Sequence, residues 1–233
     1  MNNSQLQPLV SVIISCYNSS QTLRESIKSI LNQSYENYEV LIMDDGSTDE
    51  TNELLNMIKT EKVRLFRNEK NIGLTKSLNI LISHSRGKYI ARHDSDDFSL
   101  HLRLQEQVNV LENSKYNVCT SRAIRKNTNS KIPGFSFYFS YKALSKIKNP
   151  FIHGSLMISK TLLLDQGGYD EKFRYAQDYK LFTDLIKNDK PIFQIKKPLY
   201  ILNMDNNISS IHSKEQNYYA NCVKKNITPR ELY

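Results

Sequence analysis

Short apolar runs rich in β-branched residues alternate with helical patterns through roughly the first hundred residues of this 233-residue chain. The strand-like runs occupy residues 10–14, 40–43, 63–66 and 88–92, and the segments between them repeat apolar residues at helical spacing. Strands joined by helices of this length form βαβ units, in which consecutive strands run parallel. The sequence therefore predicts an α/β fold with a mainly parallel, Rossmann-like central sheet flanked by helices.

Two of the helices in this half carry the signature of a capping box. Thr22 precedes Glu25 by three residues, and Ser47 precedes Glu50 by the same spacing. In a capping box the hydroxyl accepts a hydrogen bond from a backbone N–H in the first turn of its own helix. We therefore predict that helices begin at these two positions.

The second half is less regular, and its clearest pattern is aromatic. Phe135, Phe137, Phe139 and Tyr141 occupy alternate positions, which predicts a strand with the aromatic rings on one face. Packing of that face on the core is favoured over a surface that contacts sugar or lipid. Elsewhere we predict strands at 117–121, 155–159, 191–195 and 199–202, and helices at 104–111 and after residue 178.

Composition limits the class of protein. The chain has 32 Lys and Arg against 24 Asp and Glu, a net charge of +8, which suits partners that carry phosphate groups. It lacks the roughly 18 to 20 consecutive apolar residues of a membrane span, and no signal-peptide pattern is found, so a cytoplasmic protein is predicted. Cys16, Cys119 and Cys222 lie far apart, without metal-site spacing, and are expected to be reduced thiols.

Acidic residues follow two of the predicted parallel strands. Asp44 and Asp45 come after the second strand, and Asp94, Asp96 and Asp97 come after the fourth. Ligands of open parallel sheets bind at the carboxyl ends of the strands. Clustered carboxylates repel one another and usually hold a cation or accept from ligand hydroxyls. This edge of the sheet is therefore the predicted site.

The order of several longer motifs resembles the family-2 inverting glycosyltransferases with the GT-A fold, bacterial enzymes that build surface polysaccharides. The matching stretches are residues 10–18 (VSVIISCYN), 29–35 (SILNQSY), 38–49 (YEVLIMDDGSTD), 71–74 (NIGL) and 87–97 (GKYIARHDSDD), with looser matches at 153–157, 167–170 and 177–178. The matches run in order through roughly the first hundred residues, which makes them far more specific than any one motif, and the second half of the chain matches more loosely. The resemblance implies transfer of a sugar, expected to be a hexosyl group, from a nucleotide-sugar donor.

The resemblance also implies how the donor is held. Asp45 would bind the base or ribose of the nucleotide, with Ser15 and Tyr17 lining the same pocket. Asp94 and Asp96 match the family's DxD motif, so Asp94 would contact the donor and both carboxylates would ligate Mn²⁺ or Mg²⁺ on the donor diphosphate. A UDP-sugar is expected, because UDP is the commonest nucleotide among relatives.

Asp178 matches the aspartate that serves as general base in the family, which removes the proton of the acceptor hydroxyl in a single inverting displacement. The chain departs from the family at two places. Gln177 stands where Glu is common, and Asn203 lies where many relatives carry a histidine that reaches the metal or the phosphates. Either His212 fills that role here, or the metal keeps an extra water. His153 is expected to touch the acceptor or the phosphates, with a structural role equally favoured.

The predicted domain organisation follows from these assignments. Residues 1–121 are expected to form the nucleotide-sugar-binding half, 122–202 the acceptor-binding half with the catalytic base, and 203–233 a C-terminal tail with a helix. The expected acceptor is a glycan or a polyprenyl-diphosphate-linked sugar at the inner face of the membrane. Lys224 and Lys225, with tyrosines nearby, would either hold the tail on anionic lipid or pack it on the catalytic domain or on a second subunit, and packing is favoured.

Other functional classes fit the sequence less well. A nucleotidyltransferase needs a glycine-rich loop after the first strand, and residues 15–20 contain no glycine. A catalytically inactive sugar-nucleotide-binding module is opposed by the retained aspartates. A nucleic-acid-binding protein is opposed by the scattered basic residues and the absence of a recognition motif, so no nucleic-acid partner is expected.

Overall fold

A computed structural model describes residues 7–204 and 212–230 and bears out the predicted α/β architecture. The strands are β1 (Val10–Cys16), β2 (Tyr38–Asp44), β3 (Val63–Arg67), β4 (Tyr89–Arg92), β5 (Phe98–Ser99), β6 (Val118–Arg125), β7 (Lys131–Ile132), β8 (Met157–Ser159) and β9 (Phe193–Leu202). The α-helices are α1 (Leu23–Leu31), α2 (Thr51–Asn56), α3 (Leu74–His84), α4 (Arg103–Glu112), α5 (Tyr141–Leu144), α6 (Lys160–Asp165), α7 (Gln177–Lys187) and α8 (Ser213–Lys225). Two 3₁₀ turns span Phe135–Tyr138 and His153–Ser155.

One sheet runs through both halves of the described chain. Its strand order is β3-β2-β1-β4-β8-β6-β9-β5, with β7 paired to β6. β1 lies parallel to both β2 and β4, and β6 lies parallel to β9. β8 is antiparallel to both of its neighbours. The mainly parallel sheet brings the carboxyl ends of β1, β2 and β4 to one edge, which is the edge that carries the acidic residues.

Alternating side chains of the central strands supply two cores, one on each face of the sheet. Val12 and Ile14 point to the face covered by α1 and α4, where Leu23, Ile27 and Leu104 are buried. On the opposite face, α3 and α7 pack against a second cluster of buried side chains from the strands. That second cluster includes Ile13, Leu41, Met43, Leu78, Leu81, Ile158, Leu181 and Phe182. Burial of both faces explains why these strands are continuous apolar runs.

Neither predicted capping box forms. The Thr22 hydroxyl donates to the carbonyl oxygen of Ser95, 3.1 Å away, instead of accepting from its own helix. Ser47 accepts from the backbone N–H of Asn18 at 3.0 Å, and α2 starts four residues after it, at Thr51. Both hydroxyls instead join neighbouring loops at the carboxyl edge of the sheet.

The aromatic alternation at 135–141 does not form a strand, so that prediction was wrong. Phe137 N–H donates to the carbonyl oxygen of Gly134 at 3.1 Å, and Phe139 N–H to that of Ser136 at 3.2 Å. These local bonds form a 3₁₀ turn, after which Ser140 caps the short helix α5. β7 pairs with β6 only as far as Ile132, so the pairing of strands ends before the aromatic segment begins. Phe135 and Phe139 are consequently exposed, whereas Phe137 is half-buried and Tyr141 packs against the core.

Two other strands differ from their predicted bounds. The two short strands predicted at 191–195 and 199–202 are a single strand, β9, whose register against β6 shifts at Arg122. The strand predicted at 155–159 is shorter, because residues 153–155 form a 3₁₀ turn. The division between residues 121 and 122 falls inside β6, so the two predicted functional halves share one sheet.

The C-terminal helix α8 packs on the segment that leads into α7. Tyr219, Cys222 and Val223 are buried against Phe173 and Tyr179. This is the packing arrangement favoured for the tail tyrosines, with the catalytic domain itself as the partner. Residues 205–211 and 231–233 of the predicted tail lie outside the described residues. Among the helices described, none combines the length and the apolar character that crossing a bilayer requires.

At Gly46, the loop that follows β2 lies very close to the backbone of the loop that follows β3. It has φ +74°, and a Cβ there would lie 2.5 Å from the carbonyl carbon of Lys70. Gly73 also has positive φ, +94°, but open space where its Cβ would be. We expect Gly73→Ala to lower the free energy of unfolding by about 1–3 kcal/mol, through backbone strain alone. Gly46→Ala should cost about 2 kcal/mol more, because it adds a backbone clash.

Urea denaturation of the two variants and the wild type measures this difference. Equal losses for the two alanine variants would contradict the close approach of the Gly46 and Lys70 backbones.

Candidate active site

The loop that follows β4 is held at the carboxyl edge of the sheet by its backbone. The backbone N–H of His93 donates to the carbonyl oxygen of Ile13 at 3.1 Å, which joins β1 to the residue immediately before Asp94. The backbone N–H of Asp94 donates to the Tyr200 hydroxyl of β9 at 3.0 Å, and its carbonyl oxygen accepts from Ser26 of α1 at 2.9 Å. The loop is therefore fixed from both the sheet and the helix.

The polar side chains at the start of α1 hold the next residue of this loop. Thr22 donates to the carbonyl oxygen of Ser95, and the hydroxyls of Ser19 and Ser95 lie 3.1 Å apart. Asp94 and Asp96 flank this residue, so their carboxylates are positioned from a rigid backbone. Such preorganisation favours binding of a charged ligand without a reordering cost.

Arg92 is a buried cation directly beside the predicted donor-binding carboxylate. Its side chain is 1% exposed, and its Nη2 lies 2.5 Å from Asp94 Oδ1. A second guanidinium nitrogen donates to the carbonyl oxygen of His93. Its Nε atom has no hydrogen-bond partner within residues 7–204 and 212–230. Arg92 thus orients one oxygen of Asp94 and leaves Oδ2 available.

Arg103 of α4 is the second buried cation and lies beneath the loop. Its guanidinium donates to the carbonyl oxygen of Arg92 at 2.6 Å, to Ser99 Oγ at 2.7 Å and to Gln107 Oε1 at 3.0 Å. It also lies 4.9 Å from the centre of the Tyr200 ring. Burial lowers the pKa of Arg103 to about 10, so the side chain stays charged at neutral pH. Burial and the charges of Arg103 and Arg92 lower the pKa of His93, which is therefore neutral.

Carboxylates are crowded in the loop. Burial, and then the negative charge of Asp94, raise the pKa of Asp96 to about 6. Burial and the charges of Asp94 and Asp96 raise the pKa of Asp97 to about 9, and Asp97 accepts from the backbone N–H of Asn203 at 2.7 Å. Ionising all three carboxyls together is thus unfavourable in the free protein, which a bound cation would relieve.

The predicted nucleotide edge is built around Asp45, which is almost fully buried. Its Oδ1 accepts from Asn68 Nδ2 at 2.8 Å and from the backbone N–H of Ile72 at 3.0 Å, and its Oδ2 accepts from Gly73 N–H at 2.9 Å. The carboxylate therefore shapes the loop between β3 and α3. Most of its lone pairs are used in this contact.

Ser15 and Tyr17 lie on the strand end next to Asp45. The backbone N–H of Asp45 donates to the carbonyl oxygen of Cys16 at 2.9 Å, which joins the ends of β1 and β2. Ser15 is buried, whereas Tyr17 is 47% exposed and available to a ligand. The structure brings the predicted nucleotide residues to one edge, and their contact with a nucleotide stays a prediction.

Asp178 lies in the first turn of α7, where the helix dipole favours a negative charge. Ala176, the residue that caps this helix, has a left-handed conformation with φ 53°. The side-chain amide of Asn149 donates to Asp178 Oδ2 at 2.6 Å. No hydrogen bond to Oδ1 is found within the described residues, so this oxygen is accessible to a substrate hydroxyl.

The loop spanning residues 149–155 joins Asp178 to Asp94. It contacts Asp178 through Asn149, and at its other end Gly154 lies so close to Asp94 that a Cβ would be 2.6 Å from Oδ2. Between them, His153 Nε2 lies 2.7 Å from the Tyr169 hydroxyl. Asp94 and Asp178 therefore contact the two ends of the same short loop.

The charges of Asp94 and Asp178 both act on His153 and on Tyr169. Burial and the charge of Arg92 lower the pKa of His153, while Asp178 and Asp94 act in the opposite direction. The same three charged groups act on Tyr169, whose pKa burial raises above its usual value. His153 is half-buried and neutral, so its role as an acceptor or phosphate contact stays a prediction.

His212 lies apart from the acidic loop in the contacts that the structure gives it. Its ring is 5.2 Å from that of Tyr175, and its Nδ1 is 3.9 Å from Glu215. Residues 7–204 and 212–230 contain no group of three His, Cys, Asp or Glu side chains arranged to hold a metal ion. Asp94 and Asp96 would thus be the protein ligands of a cation whose remaining ligands come from donor and water.

Sequence patterns missed the residues that position the carboxylates. For Arg92 the sequence does contain an indication, because an arginine within a buried apolar strand requires a partner for its charge. Arg103 and Tyr200 lie far from the loop in sequence, and Asn149 lies in a segment without regular pattern, so nothing local relates them to Asp94 or Asp178. Their proximity depends on the order of strands in the sheet.

Residues 11–167 of the chain match the family described as "Glycosyl transferase family 2". A protein from Haemophilus influenzae described as an uncharacterized glycosyltransferase is 30% identical over 95% of this chain and 74% of its own length. WfaP of Escherichia coli, described as a UDP-Glc:alpha-D-GlcNAc-diphosphoundecaprenol beta-1,3-glucosyltransferase, is 36% identical over 46% of this chain and 43% of its own length.

Two solved structures share the fold. TarS 1-349 of Staphylococcus aureus, solved in complex with UDP, aligns with a TM-score of 0.75 and 19% identity, over 92% of this chain and 64% of the TarS chain. The mannosyltransferase PcManGT of Pyrobaculum calidifontis, in complex with GDP-Man and Mn²⁺, aligns with a TM-score of 0.76 and 18% identity, over 98% of this chain and 67% of its own. At such low identity the likeness is one of fold, and both neighbours are longer than this chain.

Removing the buried guanidinium should destabilise the protein strongly. Arg103→Leu leaves the acceptors on Arg92, Ser99 and Gln107 buried without their donor. We expect the free energy of unfolding to fall by about 3–5 kcal/mol. Arg125→Leu, at the exposed end of β6, is the matched control and should change it by no more than about 0.5 kcal/mol.

Chemical denaturation measures both variants under the same conditions. A loss below about 1 kcal/mol for Arg103→Leu would show that the network does not hold the loop.

Proposed function

This chain belongs to glycosyl transferase family 2, and we propose that it transfers a sugar from a UDP-sugar donor to a hydroxyl group of its acceptor with inversion at the anomeric carbon. The family assignment agrees with the resemblance inferred from the motifs. The observation that supports the proposed chemistry is the 149–155 loop, which contacts Asp178 of α7 at one end and Asp94 of the β4 loop at the other, with the charges of both acting on His153 between them. A donor bound at one carboxylate and an acceptor at the other would meet there.

UDP is the proposed nucleotide because of one relative and one structural neighbour. The description of WfaP names a UDP-Glc donor, and TarS binds UDP. PcManGT binds GDP-Man, so the fold accommodates more than one nucleotide. In this chain Ser15, Tyr17 and Asp45 are the proposed pocket for base and ribose.

The acidic loop has the chemistry that a divalent cation requires. Asp94 Oδ2 and the carboxylate of Asp96 supply hard oxygen ligands, and their mutual repulsion would be offset by positive charge. When bound, Mn²⁺ or Mg²⁺ would neutralise part of the charge on the diphosphate leaving group. Mn²⁺ in the PcManGT complex is consistent with such a requirement. Arg92 limits the number of ligands by occupying Asp94 Oδ1.

Asp178 is the proposed general base. Asn149 binds one oxygen and fixes the orientation of the carboxylate, which leaves the other to accept the proton of the acceptor hydroxyl. As this proton is removed, the acceptor oxygen attacks the anomeric carbon, and the bond from that carbon to the diphosphate oxygen breaks. A single displacement of this kind inverts the configuration, and no covalent intermediate forms on the protein.

We place the reaction on a glycan or on a polyprenyl-diphosphate-linked sugar at the inner face of the membrane, in surface polysaccharide synthesis. The description of WfaP names a diphosphoundecaprenol-linked acceptor. In this chain the net charge of +8 suits an anionic surface.

Asp178→Asn tests the proposed base. The substitution keeps the shape of the side chain but removes its proton affinity, so kcat should fall by about 10²- to 10⁴-fold with little change in donor affinity. Asp184→Asn is the matched control, because Asp184 lies on the same helix and pairs with Lys180 instead. Sugar transfer and UDP binding are measured separately for each variant. Loss of donor binding with kcat retained would place the base elsewhere.

Asp96→Ala tests the proposed metal ligand. Turnover should fall to background and should no longer respond to added Mn²⁺, because the site keeps a single carboxylate. Asp189→Ala, at a side chain that is 91% exposed, should retain full turnover. Activity assays with and without a chelator decide the outcome. Full activity of Asp96→Ala, or of the wild type in excess chelator, would refute metal dependence.

A further inference from the structure

The net positive charge of this chain arises from one stretch of sequence, because that stretch contains no acidic residues. Residues 113–164 contain nine of the 32 Lys and Arg residues and none of the 24 Asp and Glu residues. The remainder of the chain has 23 basic and 24 acidic residues and is close to neutral. The net charge of +8 is thus a local property of this stretch and not of the surface as a whole.

The centre of that stretch, residues 134–148, also exposes large apolar side chains. Phe135, Tyr138, Phe139 and Ile147 are 79%, 68%, 55% and 67% exposed. The ring of Phe135 lies 5.5 Å from that of Phe139 and 6.4 Å from that of Tyr138, so the three rings form one exposed cluster. An exposed aromatic cluster of this kind marks an interaction surface.

Exposed lysines accompany the rings on the same segment. Lys142, Lys146 and Lys148 are all exposed, and the acidic contact described for them is Asp189, whose oxygen is 3.9 Å from Lys142 Nζ. Basic side chains with long flexible stems beside aromatic rings match the boundary between lipid headgroups and acyl chains. Aromatic rings enter that boundary, while the lysines remain at the phosphate level.

The 134–148 segment is anchored at both ends. Before the exposed cluster, the guanidinium of Arg122 donates to the carbonyl oxygen of Pro133 at 3.1 Å and lies 5.0 Å from the centre of the Phe137 ring. After it, the Tyr179 hydroxyl of α7 donates to the carbonyl oxygen of Ser145 at 2.6 Å. The exposed side chains therefore extend from a backbone fixed beside the helix that carries Asp178.

We propose that the 134–148 segment is the surface by which this protein binds an anionic lipid bilayer. The proposal deepens the proposed function, since it rests on a membrane-linked acceptor and identifies the face that would meet it. A second copy of the chain is a poorer occupant of this surface, because a symmetric contact would bring two sets of lysines together. The tail is also a poorer membrane contact, since Tyr219 is buried against α7.

Two double substitutions with the same charge change separate this segment from the tail. Lys146→Gln/Lys148→Gln removes two cations from the proposed surface, and Lys224→Gln/Lys225→Gln removes two exposed cations from the end of α8. Each basic residue near an anionic surface raises partitioning about fivefold. The first pair should therefore lower vesicle binding about 30-fold, and the second less than about threefold.

The aromatic rings are tested by Phe135→Ser/Tyr138→Ser/Phe139→Ser, with Met57→Ser as control, since Met57 is a 65% exposed apolar side chain on another face. The full chain is sedimented at low salt with vesicles of equal parts phosphatidylglycerol and phosphatidylcholine, and with phosphatidylcholine alone. Circular dichroism and urea denaturation confirm that each variant is folded. Because vesicle binding requires no donor or turnover, failure of the proposed catalysis would not affect it.

Binding to phosphatidylglycerol vesicles that is weakened by both changes in the 134–148 segment, and by neither control, supports the proposal. Equal weakening by the two lysine pairs would overturn it, since the attraction would then be a general charge effect. Failure of the wild type to bind at low salt would also overturn it. A wild-type dimer that the aromatic substitutions convert to a monomer would identify the segment as a contact between copies of the chain instead.

Discussion

The buried guanidinium of Arg103 is the interaction on which the arrangement of the candidate site depends. It joins α4 to the end of β4 through the carbonyl oxygen of Arg92 and lies against the Tyr200 ring of β9. Burying a charge is costly unless every donor is used, and the hydrogen bonds to Ser99 and Gln107 supply the remaining acceptors. These contacts fix the end of β4 from which the acidic loop begins.

That fixed loop explains how carboxylates of like charge remain close together in the free protein. Arg92 neutralises one oxygen of Asp94 from below, and hydroxyls of α1 hold the backbone at Ser95 from the side. The burial of Asp96, and the repulsion from Asp94 that adds to it in raising the pKa of Asp96, are thereby maintained instead of being relaxed by movement. A fixed arrangement of this kind would suit the proposed binding of a cation and a diphosphate, because the charged groups need not be reordered.

The same principle extends from the donor side to the opposite carboxylate. Asn149 fixes Asp178, and the loop that carries Asn149 also brings Gly154 against Asp94. This loop continues directly from the exposed 134–148 segment, which is anchored to α7 through Ser145. The proposed lipid contact and the proposed base are thus neighbours in the chain and in space, so a protein bound at that face would hold its base close to a membrane-linked acceptor.

The sequence alone determined the α/β class, the sheet edge that carries Asp45, Asp94 and Asp96, and the family, because alternating apolar runs and short motifs are local patterns. It did not determine the use of the hydroxyl groups of Thr22 and Ser47. Nor did it determine the conformation of residues 135–141, where alternation suggested a strand but no strand of the described residues pairs with the segment. Only the tertiary structure decided which distant residues support the site. Arg103, Tyr200 and Asn149 reach Asp94 and Asp178 through the strand order of the sheet, which depends on the packing of the whole chain rather than on any local segment.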